Sequence, residues 1–350
     1  MVYGTRPEAA KCWPLVQELR RRGIVPHLFC TGQHTTLLQD GLGAKLAFQA
    51  GYVNLRTPAV GNPYDYPKAL DKALRWRLEH LEPDWVLVQG DTASAYAGAV
   101  LAATLTLRIG HIEAGIRSGD RMDPWPEEGF RSAIDGLSEA HFCATPANLR
   151  HITEEHPAAQ PLLTGNTGID TLLASVGHQT RPKADRCLVT LHRRETLESG
   201  RVLDVLKGLT QACRLRRTLH FVWPVHPNPL LAEALRTLNP PDNLELIPPL
   251  PHATFTDLLA HSRCVLTDSG GVQEEAAALG IPAAIARNVT DRPESVDLGL
   301  AKLAGTSVDG VREAIQWAAE ATIQPSLCFG DGHASERIAD YLVGAEPEPF

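Results

Sequence analysis

Short apolar runs alternate with stretches of helical period along nearly the whole chain, and this alternation limits the fold more than any other feature. "DWVLVQ" (84–89), "TLRIGHIEA" (106–114) and "HFCAT" (141–145) read as buried strands with helices between them, the first being the alanine-rich "GDTASAYAGAVLAATL". Before them, residues 67–83 set Leu70, Leu74, Leu78 and Leu81 on one helical stripe that Pro67 starts and Pro83 stops. The second half repeats the pattern. "RCLVTL" (186–191), "LHFVWPV", "LELI", "CVLTD" and "IPAAIA" read as strands, and Val202, Val205, Leu206, Leu209 and Cys213 stand at helical spacing. Strands that alternate with helices imply parallel sheets with right-handed crossovers. Two such series predict an α/β protein of two Rossmann-like domains, joined where apolar periodicity lapses at "LLASVGHQTRPKADR" (172–186). The first strand has only "MVY" to draw on.

Bulk properties narrow the function. The net charge of −8 argues against a general nucleic-acid binder, but leaves room for an anionic small ligand held by local arginines and helix N-termini. The seven cysteines form no CxxC pair and mostly sit in apolar runs, as buried thiols of a reducing cytoplasm would. No stretch has the roughly 18 apolar residues of a membrane span, and "MVYGTRPEAAK" has no apolar core of a signal peptide. The expectation is a soluble cytoplasmic protein without membrane or nucleic-acid partners. Fourteen histidines include no HExxH and no paired His/Cys spacing, so no metal is expected.

In open α/β sheets ligands bind beyond the carboxyl ends of the strands, and here nearly every such end carries charge or glycine. "GTRPEAAK" brings Arg6 and Lys11, "GDT" brings Asp91, and "GHIEA" ends on Glu113. "HRRE" brings His192 and Arg193, "HPNP" begins with His226, and "DSGGVQEE" brings Ser269, Gly270, Gly271 and Glu275. The glycine-led helix start suits a phosphate, with Glu275 one turn inside, within reach of a ribose diol. GxGxxG and GxxxxGK[ST] are both absent, which speaks against a dinucleotide oxidoreductase and a P-loop NTPase. His192 and its arginines suit a departing diphosphate.

Residues 111–131, "HIEAGIRSGDRMDPWPEEGFR", pose the sharpest question: solvated loop or active-site floor. Glu127 and Arg131 are four apart on a helix whose apolar stripe is Phe130, Ile134 and Leu137. With Glu113 and Asp91 arriving from two strand ends, several carboxylates converge. That suggests acid/base work at carbon, and like charges in a cluster would raise at least one pKa.

Taken together, "GTRPEAAK", "TGQH", "GDT", "GHIEAGIRSGD", "PWPEEGFR", "GNTGID", "HRRE", "PVHPNP", "DSGGVQEEAAALG" and "DRPE" resemble the non-hydrolysing UDP-N-acetylglucosamine 2-epimerases, over residues 4 to about 294 and in the family's order. The resemblance implies two Rossmann-like domains of the glycogen phosphorylase/glycosyltransferase B type with an interdomain cleft. It places an N-terminal domain at 1–172, a nucleotide-binding domain at 185–332, and a last helix, 333–350, packed back on the first. It implies reversible C2 epimerisation of UDP-GlcNAc to UDP-ManNAc, through anti elimination of UDP to a 2-acetamidoglucal and re-addition. No cofactor is implied, and the family suggests a homodimer. By motif match Asp91, Glu113, Glu127 and His192 are the catalytic set. Arg6, Lys11, Arg131, Arg193, Phe255, Ser269, Gly270, Gly271 and Glu275 are the substrate-binding set, with Phe255 near the uracil.

The chain departs from the family pattern in places: Phe130 replaces an asparagine before Arg131, and Leu191 and Thr196 flank "HRRE". Gln33, His34 and His226 match parts of an allosteric site that binds a second UDP-N-acetylglucosamine, but Thr36 replaces its long polar residue. Weak or absent allosteric activation is therefore expected. The alternatives are a hydrolysing 2-epimerase that releases ManNAc and UDP, an epimerase of a related UDP-2-acetamido sugar, a glycosyltransferase of the same fold, and a nucleotide-sugar sensor. Retention of all three carboxylates disfavours the last two.

Overall fold

The computed structural model describes residues 1–33, 41–177, 183–193, 197, 200–236 and 239–350. Two compact units emerge: Met1–Ala174 with Gly330–Phe350, and Ser175–Phe329.

The first unit holds seven strands: β1 (Val2–Tyr3), β2 (Leu28–Cys30), β3 (Tyr52–Asn54), β4 (Val86–Gln89), β5 (Ile109–Ala114), β6 (Ala140–Cys143) and β7 (Leu162–Leu163). They form one sheet in the order β3-β2-β1-β4-β5-β6-β7, with every pair parallel. Between them run α1 (Arg6–Arg21), α2 (Gly41–Ala47), α3 (Tyr66–Leu81), α4 (Ala93–Thr104), α5 (Glu127–Leu137) and α6 (Pro146–Glu155), and α7 (Thr167–Val176) follows β7. The second unit runs β8 (Ala184–Thr190), α8 (Val202–Leu215), β9 (His220–Pro224), α9 (Pro229–Arg236), β10 (Leu244–Ile247), α10 (His252–Ala260), β11 (Ser262–Thr267), α11 (Gly270–Ala278), β12 (Ala283–Ile285), α12 (Pro293–Asp297), β13 (Ala301–Leu303) and α13 (Val308–Glu320). Its sheet order is β10-β9-β8-β11-β12-β13, also all parallel. In both sheets the order reverses beside the first strand, at β1/β4 and at β8/β11. These switch points are where open α/β sheets offer a crevice to ligands.

Local chemistry explains several boundaries. Leu70, Leu74 and Leu78 are buried along α3, and Glu82, at φ +41, ends the helix before Pro83. Thr5 and Glu8 form a reciprocal capping box at the start of α1. Pro14 sits inside α1 and has no N–H for the Ala10 carbonyl; the Thr171 hydroxyl of α7 donates to that oxygen instead, at 2.6 Å. The C-terminal α14 (Ala334–Leu342) belongs to the first unit. Asp170 accepts from the backbone N–H groups of Ala334 and Ser335 at its start, at 3.2 and 2.7 Å, and Arg22 pairs with Asp340 at 2.5 Å.

Each sheet is covered on both faces. In the first unit one core gathers Leu15, Val16, Phe142 and Ile338, the other Leu70, Leu74, Phe130 and Ile134. Phe130 is fully buried and stacks on Tyr96, 4.8 Å between centroids, so its departure from the family pattern is a matter of packing in this core. Leu137, expected on the apolar stripe of α5, is instead exposed where the helix ends. No helix among the described residues is long and apolar enough to cross a membrane.

Candidate active site

The switch point of the first unit brings Asp91 and Glu113 to adjoining strand tips. Gly90 ends β4 at φ +68, and a Cβ there would stand 3.3 Å from Glu113 Oε2, so glycine suits both the turn and the close approach. Asp91 follows, and Thr92 caps α4 by accepting from the Ala95 N–H at 3.1 Å. On the neighbouring strand the β5–β6 register shifts between Ile112 and Ala114, and Glu113 adopts φ +71. The bulge takes the Glu113 side chain out of the regular alternation of the strand.

Glu113 is buried and surrounded by donors. Lys11 Nζ reaches both carboxylate oxygens, at 2.5 and 2.6 Å, Asn166 Nδ2 donates at 3.1 Å, and Gln89 Nε2 donates to Oε2. Asp91, about a third exposed at 31%, accepts from Arg131 Nε and Nη2 at 2.9 and 2.6 Å. Arg131 is buried and also donates to Glu128 Oε2 at 2.8 Å, while Glu128 Oε1 accepts the Ser118 N–H at 3.0 Å. Glu127 opens α5 one turn before Arg131, close enough to Tyr64 to help raise that phenol's pKa, though burial is the larger cause. Residues 111–116 and 124–131 are therefore largely buried, while Gly119–Met122 between them are exposed. The carboxylates also differ from the expected bare like-charged cluster: Asp91 and Glu113 each meet a separate cation. Arg6, at the start of α1, is exposed.

Behind these groups Glu8 is fully buried. It accepts from Gly4 N–H, Thr5 N–H and the Thr5 hydroxyl at 3.0, 2.8 and 2.8 Å, and from the Thr92 hydroxyl at 2.7 Å. It thus ties the β1–α1 turn to the start of α4. Burial pushes its carboxyl up to about 7.

The second unit offers donors at its own switch point. Asp268 is fully buried and accepts the His192 N–H at 3.1 and 3.0 Å and the Arg193 N–H at 2.9 Å. His192 Nδ1 lies 3.5 Å from Asp268 Oδ1, with the side chain 40% exposed. Ser269 holds the N-cap position of α11 without a side-chain cap hydrogen bond. The site of a Cβ on Gly271 is open space, whereas that on Gly270 meets the Arg292 guanidinium at 3.3 Å. Arg292 is itself buried between Glu274 and Asp291, at 2.5 and 3.0 Å, with Arg193 Nη2 3.9 Å from Asp291. Glu275 faces His252 at 3.5 Å; burial alone would lower the imidazole pKa, but this carboxylate raises it. Phe255, one turn along α10, is half-buried against the core beside Leu258.

These features follow a recognisable plan. A family model described as UDP-N-acetylglucosamine 2-epimerase matches residues 17–343. The chain belongs to the UDP-N-acetylglucosamine 2-epimerase family. It is 34% identical to the UDP-N-acetylglucosamine 2-epimerase of Bacillus subtilis (strain 168), over 98% of this chain and 94% of the relative. Among solved structures it is similar to the S. aureus MnaA–UDP co-structure, with a TM-score of 0.89, 32% identity, and 99% and 98% of the two chains covered. It is likewise similar to the UDP-GlcNAc 2-epimerase from Neisseria meningitidis bound to UDP-GlcNAc, with a TM-score of 0.87, 31% identity, and 97% and 98% covered. MurG of Acinetobacter baumannii, 14% identical with a TM-score of 0.56, shares the fold alone.

Of the matches to the family's allosteric site, Gln33 accepts from the Ser94 N–H and hydroxyl at 3.2 and 2.7 Å. His226 lies on the second unit with its ring centroid 6.0 Å from that of His192. His34, Thr36 and Thr196 lie outside the described residues. All seven cysteines are free, and among the described residues no group of three or more His, Cys, Asp or Glu side chains is placed to hold a metal ion.

Sequence reasoning missed Gln89, Asn166, Glu128, His111 and Asp135 in the first unit, and the supporting role of Asp268 in the second. Asn166 was within reach: it follows a strand as the other site residues do, but β7 has only two residues and left no apolar run to notice.

Proposed function

We propose that the protein interconverts UDP-GlcNAc and UDP-ManNAc by anti elimination of UDP across C1–C2 and re-addition. The C1–O bond breaks with its electron pair leaving on UDP. The C2 proton passes to a base, and a C1–C2 double bond forms in a 2-acetamidoglucal. Re-addition of UDP to C1 and delivery of a proton to the opposite face of C2 complete the inversion. A C2–H bond is a poor acid; early C1–O cleavage builds oxocarbenium character that acidifies it, and two separately placed proton carriers serve the two faces.

One observation carries this reading: Asp91 and Glu113 stand on adjoining strand tips, each beside its own cation, Arg131 and Lys11. A single acid/base with a nucleotide pocket would suit a transferase; paired carboxylates suit proton traffic at two faces. Glu127, on the helix that supplies Arg131, joins them. The first unit then carries the carbon chemistry, with Arg6 and Arg131 assigned to the charge of the leaving group. The second unit holds UDP: Ser269, Gly270 and Gly271 for phosphate, Glu275 for ribose, Phe255 for uracil, His192 and Arg193 for the departing diphosphate. Ser269, spared from capping, supports this division.

A proton NMR time course in D₂O with UDP-GlcNAc tests the proposal. The expected product is UDP-ManNAc with deuterium at C2. Free ManNAc would instead mark a hydrolysing enzyme, and no exchange would overturn the assignment. Glu113→Gln is expected to abolish exchange and leave UDP affinity nearly intact. With the Gln33 amide oxygen engaged by Ser94, saturation should be hyperbolic and without lag; a sigmoidal curve would restore the allosteric site. Seven free cysteines fit a cytoplasmic setting, and family analogy supports a homodimer.

A further inference from the structure

His111 is fully buried at the middle of β5, two residues before Glu113, and neither the motif reading nor the proposed chemistry uses it. Its two ring nitrogens both have partners. Nδ1 lies 2.6 Å from Asp135 Oδ1, and Nε2 lies 2.8 Å from the carbonyl oxygen of Gly90. A carbonyl oxygen only accepts. Asp135 also accepts on its other oxygen, from Arg117 Nη2 at 2.7 Å and from the Gly115 N–H at 3.3 Å. Burial alone would push the Asp135 carboxyl up, but His111 and Arg117 beside it hold it at about 2. A bare Nε2 would set its lone pair against that of the Gly90 oxygen, so Nε2 must donate. The other ring nearby, His141, is register-paired with His111 on β6 and directs Nε2 to the Asp135 carbonyl at 2.9 Å, so it does not compete for either contact.

We propose that His111 is a positioning residue whose Nε2–H fixes the Gly90 carbonyl and thereby sets the direction of Asp91 relative to Glu113. The Gly90 carbonyl belongs to the peptide plane that carries the Asp91 N–H. Holding that oxygen fixes the plane at a glycine whose φ of +68 leaves few other restraints. The other end of Asp91 is held too. Arg131 grips its carboxylate from α5, and Asp135 lies four residues further along the same helix, on the same face. Gly90, His111, Asp135, Arg131 and Asp91 therefore form a closed circuit of bonded contacts and one helical turn. Asp135 extends it to the Gly115 N–H, just past Glu113. One buried imidazole so couples the two strand tips that carry the proposed proton carriers. This inference rests on the reading of Asp91 and Glu113 given above.

Two substitutions separate the two contacts. His111→Gln can present an N–H near the Nε2 position, toward Gly90; His111→Asn can present one near Nδ1, toward Asp135. C2 exchange with UDP-GlcNAc in D₂O should fall about 100-fold in kcat for His111→Asn, the effect of displacing a catalytic group by about 1 Å. KM should stay within about threefold, because UDP is held elsewhere. His111→Gln should restore kcat to within about tenfold of the parent. Equal kcat losses in the two variants, following their melting temperatures, would reduce His111 to a packing residue and overturn the proposal. Nitrogen NMR of the histidine-labelled parent protein gives a second reading that needs no variant to fold. The Nε2 of His111 should show a one-bond N–H coupling, and its absence would overturn the proposal. A parent protein that binds UDP but exchanges no C2 proton would defeat the proposed function instead, and the NMR experiment would still decide the state of His111.

Discussion

Thr92 and Ser269 occupy equivalent places in the two units. Each follows an aspartate at the tip of the strand beside the switch point, β4 and β11, and each takes the N-cap position of the next helix in extended conformation. Their surroundings put them to opposite uses. Thr92 caps its helix and donates to Glu8, while its neighbour Asp91 stays partly exposed beside Arg131. Ser269 leaves its helix uncapped by a side chain, while Asp268 is wholly buried and spent on the backbone of residues 192–193. A strand, an aspartate, a hydroxyl and a helix therefore do not define a job. The groups that cross from the adjoining strand and helix decide which oxygen remains for a ligand.

The largest expected effect breaks the comparison at the two aspartates. Asp91→Asn should lower kcat for C2 exchange by about 10²–10⁴-fold, the usual worth of a positioned proton carrier, with UDP affinity within about threefold. Asp268→Asn at an unchanged melting temperature should do far less. If the two lose kcat alike, the division of labour is wrong. Next, Asp268→Ala strips the acceptor from two partly buried N–H groups and should lower the unfolding free energy by about 1–3 kcal/mol in urea titration. A smaller step sharpens the contrast of caps. Thr92→Val should cost about 1–2 kcal/mol of stability, whereas Ser269→Ala should stay within about 0.5 kcal/mol and weaken UDP binding about tenfold by calorimetry. Equal destabilisation by both would show that Ser269 caps its helix after all.

Another effect concerns pH. Burial raises the Glu8 carboxyl from 4.5 to about 7, so the folded state favours its protonated form. The stability this gives is full below pH 4.5 and is lost as pH rises through 7. Glu8→Gln lacks the titration. The parent's melting temperature should fall relative to the variant's between pH 4.5 and 7 and run parallel to it outside that window. A constant gap would mean that Glu8 is charged throughout, and that Thr92 is held by a carboxylate.

The long amphipathic helices were plain in the sequence because burial imposes a period: Leu70, Leu74 and Leu78 along α3, and Val202, Val205, Leu206 and Leu209 along α8, are all buried as their spacing predicts. Strand tips were equally plain where the strand was long enough to notice. β2, β3, β7 and β13 escaped, since two or three residues in a sheet covered on both faces carry no alternation. The same limit hid the supports of the site. Asp91 and Glu113 announce themselves at strand ends, but Gln89, His111, Asn166 and Asp135 matter only through the partners that folding brings to them, 20 to 53 residues away in the chain for those hydrogen bonds. Leu137 shows the converse error, a correct spacing carried one turn past the point where the core ends.

The return of α14 to the first unit sets an order of events during synthesis. Residues up to Ala174 leave the ribosome early, yet Ile338 and Ala339 sit in the same apolar cluster as Leu15, Val16 and Phe142. Until the final stretch is translated, that cluster lacks two of its members, and the buried carboxylate of Asp170 has neither backbone partner. The later-made unit, Ser175–Phe329, has its whole segment available sooner than the earlier-made one has its own. A released chain truncated after residue 333 should therefore present a finished second half and an N-terminal half still open to proteases.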